Sequence, residues 1–514
     1  MNALRMTAIT VSLASLWAQV QAQALEAPGA SLDGMQLAQA AGATPWKEGG
    51  TYTVGQLVSY NGRTYAALVG HTAWAGTGWN PEATPSLWRL VSGGSPPAPN
   101  PPAPNPPAPN PPAPNPPAPN PPAPNPPAPN PPAPNPPAPG PGDQLTLPEA
   151  VKATQNKRVY VGYYPSWSDA WFDSTGKSAN EIFKASKFAR IPGTYTHVMV
   201  AFGDPNFSWA GLSANSWSGT GINFTATPRD IKAAIDVLHQ RNMKVLLAVG
   251  GATYHNWDAL AADGQRGSGP VIDALARFMT EMGIDGLDVD YEVDANVPRY
   301  ANAIKAMRKA VDKAGGGRIL ASATWSTGAD CTAATSAHPD CSGKVSFWGG
   351  SAGRERQLMM QFPDAAKSLD MVNIMTYDAR YENYDGVTAY NEYRKLWPSR
   401  TIVSIGFEPA PEGWAGGMLV VNNGDAQCEG SRNLKNSYGT AINQPYSVER
   451  YSGAVLASNP NRNPRDGAML WSILKPANGS CGGAPLASPG SIGQKLQSLF
   501  GLSRDPALQS PEWR

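Results

Sequence analysis

Between Pro96 and Gly140 the chain repeats PPAPN eight times and closes on PPAPG. No arrangement of these residues builds a core, because proline fixes φ and removes the backbone donor while the repeat supplies no large apolar side chain. Such a run favours the extended polyproline conformation at about 3.1 Å per residue, so it can reach on the order of 140 Å. A 514-residue chain interrupted in this way is expected to form separate bodies on either side of a semi-rigid spacer, placed here at residues 93–145. A spacer of this kind keeps two modules apart and leaves both on one partner.

The chain carries 40 Lys and Arg against 39 Asp and Glu, so no basic field recruits nucleic acid or an anionic membrane. A neutral polymer suits such a surface better, and 16 Trp supply flat aromatic faces of the kind on which sugar rings stack. Residues 1–24 read as a secretion signal, with Arg5, an apolar stretch from Met6 to Trp17 and an Ala22-Gln23-Ala24 site. That stretch falls short of the roughly 20 residues that span a bilayer, so a secreted, extracellular protein is expected. In that oxidising setting Cys331, Cys341, Cys428 and Cys481 suggest two disulfides. Three pairings are open; the short separation favours Cys331 with Cys341, which leaves Cys428 with Cys481. Their scattered spacing is not that of a zinc site.

Residues 43–92 alternate short β-type runs with turns, including the Asn61-Gly62 hairpin signal, and predict a small all-β unit. Its aromatics, Trp46, Tyr52, Tyr60, Tyr65, Trp74, Trp79 and Trp88, exceed what so few residues can bury, so some must face outward. After the spacer, apolar runs alternate with amphipathic stretches from 155 to 500, followed by a tail at 501–514. Eight candidate strands begin at Val159, Thr196, Lys244, Gly283, Ile319, Met371, Thr401 and Gly467. This pattern predicts an α/β fold, a (β/α)8 TIM barrel with its chemistry at the C-terminal ends of the strands.

The fourth strand, Asp285-Gly-Leu-Asp288-Val-Asp290-Tyr-Glu292, is the sharpest feature. Side chains alternate along a strand, so Asp288, Asp290 and Glu292 share one face, which in a barrel is the lumen. Carboxylates about 7 Å apart in a partly dry interior repel, so at least one keeps its proton near neutral pH. Glu292, nearest the strand's C-terminal end, is the natural general acid. A calcium loop would place its ligands through a polar turn with a glycine at the sixth position, whereas this segment alternates with apolar residues. By the same parity Asn373, Met375 and Tyr377 point one way, as do Met469 and Trp471.

These residues carry two resemblances. The stretch TVGQLVSYNGRTYAALVGHTAWAGTGWNPEATPSLWRL resembles the family 5/12 chitin-binding modules of bacterial chitinases, which implies sugar stacking by Trp74 and Trp79. DGLDVDYE resembles the DGxDxDxE signature of family 18 glycoside hydrolases, and VGYYPSW, AFG, Met375-Thr-Tyr377-Asp378 and Trp471 follow the family in order along the whole domain. The resemblance implies a chitinase that retains anomeric configuration and lets the substrate supply the nucleophile through its acetamido group. Glu292 would be acid and then base, Asp290 would orient the acetamide, and Asp288 would share a proton with Asp290. Tyr377 would hydrogen-bond the acetamide, Asp378 would contact the sugar and Trp471 would floor the subsite, with Tyr163, Phe202, Gly250, Gly251 and Met375 beside the substrate. It further implies a monomer acting on chitin and chito-oligosaccharides without cofactor or metal.

The third strand departs from the pattern. Family members usually end it Ser-x-Gly-Gly, and here it reads Ala248-Val-Gly250-Gly251, which leaves Tyr163 as the expected main partner of Asp288. Between strands seven and eight no match to the family's extra α+β insertion is found, so an open groove and cutting within chains are expected. A serine esterase built on Gly349-Gly-Ser351-Ala-Gly353 fails, since no histidine follows Ser351. A non-catalytic lectin on the same barrel and an endo-β-N-acetylglucosaminidase acting on glycoproteins are the remaining alternatives. Glu292 argues against the first and the chitin-type module against the second.

Overall fold

The computed structural model describes residues 43–53, 55–67, 71–73, 80–82, 88–92, 144–332, 336, 341, 353–377, 385–409, 448–458, 463–475, 480–481, 484–485 and 488–513. The chain divides into two compact units, with the change falling inside the proline-rich repeat. The secretion signal, residues 93–143 of the spacer, Trp74, Trp79, Cys428 and Asp378 lie outside the described residues.

In the N-terminal unit, Leu57–Tyr60 and Arg63–Ala67 form the expected hairpin. Asn61 and Gly62 both take positive φ, 49° and 72°, as a two-residue turn matched to strand twist requires. Trp88–Ser92 adds to the second strand and Thr44–Pro45 to the first. Tyr52, Val58, Tyr65, Ala67, Ala73 and Trp88 make a core, so Tyr65 and Trp88 are packing residues. Trp46 is half-buried, edge-on to Tyr60 at 5.2 Å.

The second unit is a closed barrel of eight parallel strands, each hydrogen-bonded to its neighbours in chain order and the last to the first. They are β1 (Tyr160–Pro165), β2 (His197–Gly203), β3 (Lys244–Gly250), β4 (Gly286–Asp290), β5 (Ile319–Thr324), β6 (Met371–Ile374), β7 (Ile402–Phe407) and β8 (Gly467–Leu470). Every expected strand is present. Leu287, Val289 and Tyr291 belong to the large apolar layer between strands and helices. Tyr163, Met199, Leu246, Ala248, Ala321, Ala323, Tyr377 and Met469 fill the lumen, with Phe202, Met375 and Trp471 packed against them.

Local signals place β4. The helix Pro270–Met282 starts on a proline at its first position and stops at Gly283, whose φ of +74° favours glycine. Asp285 then pins the entry to β4: its carboxylate accepts from Val245 N at 2.9 Å, His239 Nε2 at 2.8 Å and Lys244 Nζ at 2.7 Å. These contacts hold the carboxyl below its usual range despite the opposing effect of burial.

At the barrel's other end from its mouth, the segment expected to be a tail is part of the packed domain. Leu508 and Trp513 are buried, Arg190 pairs with Glu512 at 2.7 Å, and Asp505 accepts from Gly193 N at 2.6 Å and faces buried Arg241 at 3.5 Å. The domain also begins earlier than expected, since Leu145 N donates to Gln240 and Arg241 Nε donates to Val151 O. These segments are polar and aperiodic; their burial comes from partners remote in sequence. Cys331 and Cys341 form a disulfide, with Cα atoms 5.6 Å apart.

Candidate active site

Register and parity bring β4's acids into the lumen. Asp288 lies level with Ala248 and Ala321, and Asp290 with Gly250 and Ala323. Both acids are buried. Tyr163 donates its hydroxyl to Asp288 Oδ2 at 2.9 Å. Burial pushes the Asp288 carboxyl up to about 7, against the pull of Tyr163, Asn373 and the Ala323 backbone. Neither side-chain atom of Asn373 makes a hydrogen bond of ordinary geometry. Tyr163 is therefore the principal partner, and the phenol is itself raised well above its usual range by burial and by the neighbouring Asp288 and Asp290.

Asp290 is raised well above the ordinary carboxyl range, first by burial and then by Glu292 and Asp288, while the Arg354 guanidinium opposes the rise. The Glu292 carboxyl lies close enough to Asp290 to oppose its ionisation. Neighbouring carboxylates that repel in this way favour holding a proton between them. Glu292 stands two residues beyond the end of β4 and is half-buried, at the mouth rather than in the lumen.

The mouth is aromatic. Trp471 stacks on Phe202 with centroids 5.5 Å apart at 22° and meets Tyr163 edge-on at 6.0 Å. Trp167 extends the platform, 6.1 Å from Phe202 and 6.5 Å from Trp471, and is 47% exposed. Gly251 makes this approach possible: it has φ +85°, and a Cβ there would lie 2.8 Å from the Phe202 ring. A Cβ at Gly250 would lie 2.2 Å from Asp290 O. Tyr377 is buried, with its hydroxyl 3.6 Å from Met469 Sδ, and Met375 is half-buried in the same lumen.

Of the residues singled out from the sequence, Glu292, Asp290, Asp288, Tyr377, Tyr163, Phe202, Gly250, Gly251, Met375 and Trp471 thus gather at one end of the barrel, while Asp378 falls outside the described residues. Trp167 and Arg354 join the site without having been picked out. The first lies in the VGYYPSW run, where an alternative as core filling could not be separated from an exposed role; the second is an arginine in a loop-rich stretch that reads as solvated surface.

Carboxyls held above their usual range beneath stacked aromatic faces are the equipment for cleaving glycosidic bonds, and the class this defines is the glycoside hydrolases. Residues 159–394 match the model of glycosyl hydrolases family 18, to which the barrel domain belongs, and residues 45–89 match carbohydrate-binding module family 5/12. Chitinase A1 of Niallia circulans is 49% identical over 49 residues, 10% of this chain and 7% of that protein. Chitinase 1 of Aphanocladium album is 25% identical over 179 residues, 34% of this chain and 37% of its own. The chain therefore spans well under half the length of these curated relatives. Among solved structures, a family GH18 chitinase from Chromobacterium violaceum is 16% identical with a TM-score of 0.38, over 84% of this chain and 94% of its own.

Proposed function

We propose that the protein is a secreted, monomeric chitinase that cuts β-1,4-linked N-acetylglucosamine chains internally with retention of configuration. The observation that carries the reading is the placing of both acids on one strand end, Asp290 buried at the close of β4 and Glu292 two residues on at the mouth, near enough to oppose ionisation of Asp290. Retaining glycosidases with their own nucleophile hold two carboxyls about 5–5.5 Å apart, and inverting ones about 6.5–9.5 Å. Two acids two residues apart at the end of one strand stand on the same side of the site and cannot flank a sugar from opposite faces, so the nucleophile comes from the substrate, and an N-acetyl group supplies one.

In this reading Glu292 gives its proton to the bridging oxygen as the acetamido oxygen bonds to the anomeric carbon and the glycosidic bond breaks. Asp290 accepts the acetamide N–H and balances the positive ring that results, while a second proton, the one it shares with Asp288, moves onto Asp288. Glu292, now a carboxylate, takes a proton from the water that opens the ring. Tyr377 and Asp378 hold the acetamide and the sugar; Trp471 and Phe202 carry the ring face. Trp74 and Trp79 of the N-terminal module engage chitin.

Wild type and Glu292→Gln offered insoluble chitin should both pellet with it, and only wild type should release soluble sugars, the first product formed being the β-anomer by NMR. Binding without release by both proteins would reduce the chain to a lectin, and an α-anomer first product would remove the substrate-assisted route.

A further inference from the structure

Glu292 is not held by the sheet, since β4 ends at Asp290. Its backbone follows from Tyr291, which is gripped at both ends. The Tyr291 ring lies between Trp257 and Tyr300, with centroids 4.8 and 5.3 Å away. Its hydroxyl donates to Asp294 Oδ1 and accepts from Arg299 Nε, each at 2.7 Å. Its carbonyl accepts from Arg354 Nη1 at 2.5 Å.

Arg354 is fully buried at the start of the helix Arg354–Gln361. Its guanidinium lies 4.0 Å from the Trp325 ring centroid, 4.4 Å from Tyr300 and 5.6 Å from Tyr291. Glu355, which also accepts from Trp325 N at 3.2 Å, takes Arg354 Nε at 3.0 Å. A buried ion pair is weak evidence for a stabilising role, because apolar residues of similar volume often serve as well. The direction of the remaining donor, onto the peptide that presents the acid, indicates what this pair does.

We propose that Arg354 is a positioning residue for Glu292: through the Tyr291 carbonyl it fixes the turn that carries the proton donor, and it sets a positive charge behind the acidic ladder. This rests on the reading of Glu292 as acid and base. The charged and titratable groups facing Arg354 are Glu355 beside it, Tyr291 beyond the end of β4, Tyr300 from the helix Val297–Ala314, Tyr393 from the helix Gly386–Leu396 and Asp290 from β4. Those facing Asp290 are Glu292, Asp288, Arg354 and Tyr163. Against this set, loss of the guanidinium removes the cation that opposes protonation of Asp290, so both limbs of the pH profile move to higher pH.

The test uses the full chain, a soluble chito-oligosaccharide and three variants, Arg354→Met, Arg354→Lys and Glu292→Gln. Arg354→Met should lose about tenfold or more in kcat with little change in KM, since misplacing a catalytic group by even an ångström has effects of that order, and both limbs should move up. Arg354→Lys keeps the charge without the planar fork, so the limbs should return while kcat stays low. Limbs in place and kcat within twofold of wild type in a folded Arg354→Met would overturn the proposal. If Arg354→Met does not fold, wild-type kcat in Arg354→Lys overturns it and a reduced kcat with wild-type limbs supports it. Wild-type activity that vanishes in Glu292→Gln upholds the underlying reading whatever Arg354 does.

Discussion

Ala248 lies level with Asp288 across β3 and β4, and Asp288 Oδ1 has no hydrogen-bond partner among the described residues. A serine at this position adds a donor that favours the ionised carboxyl. Ala248→Ser is therefore expected to draw Asp288 down from about 7 and to move the acidic limb of the kcat/KM profile to lower pH; an unmoved limb would discard the idea. The same burial has a cost in stability. A carboxyl titrating at about 7 in the fold against 3.8 when free makes the folded state bind more protons between those values. The contribution of this one group to stability is then greatest below 3.8 and is lost as pH rises through about 7. Asp288→Asn removes that loss, so denaturant melts should show it gaining on wild type above pH 7, by on the order of a few kcal/mol, and gaining nothing near pH 3; a gain independent of pH would contradict the assignment. Residues such as Asp288 and Glu292 were legible because alternation with Leu287, Val289 and Tyr291 in a strand-like run betrays a shared face. Arg354 was not, because its neighbours Glu355 and Arg356 make it look like a solvated charge cluster, and only the fold brings Tyr291, Tyr300 and Trp325 around it.

The strands of the barrel could be read one by one because each is a short apolar run bounded by helix caps or glycines, a local property. What closes the domain at its N-terminal end is not local. Asp505 and Arg241 are buried together, and Arg241 also donates to Val151 O and Ala189 O. Three segments far apart in sequence thus meet on one guanidinium, and the polar run Leu502 to Trp513 offers no periodicity that would announce it. Removing one partner of such a pair leaves an uncompensated buried charge, at a cost of about 3 kcal/mol or more. Asp505→Ala should lower unfolding free energy by that order while KM on soluble oligosaccharides stays put, because Asp505 sits beside Gly193, ahead of β2, and not at the aromatic mouth. A changed KM with unchanged stability would show that the element belongs to the site instead.

At the scale of the whole molecule the question is why a small β unit with its own core is joined to a barrel that holds every described residue of the proposed chemistry. The N-terminal unit packs Tyr52, Val58, Tyr65 and Trp88 against each other, and the barrel's apolar layer is complete without it, so each unit has the core it needs. Joining them matters when both must act on one solid. A tethered second site turns rebinding into an intramolecular event, which raises avidity by factors of about 10²–10⁴ where both sites are engaged and does nothing where only one is. Deleting residues 43–92 should therefore cut release from insoluble chitin at low enzyme concentration by about tenfold or more, and leave kcat/KM on a soluble chito-oligosaccharide unchanged. The defect should shrink as enzyme is added, since mass action replaces the lost avidity. Equal loss on both substrates would mean that the unit supports the barrel, and no loss on either would mean that its partner is something other than the polymer being cut.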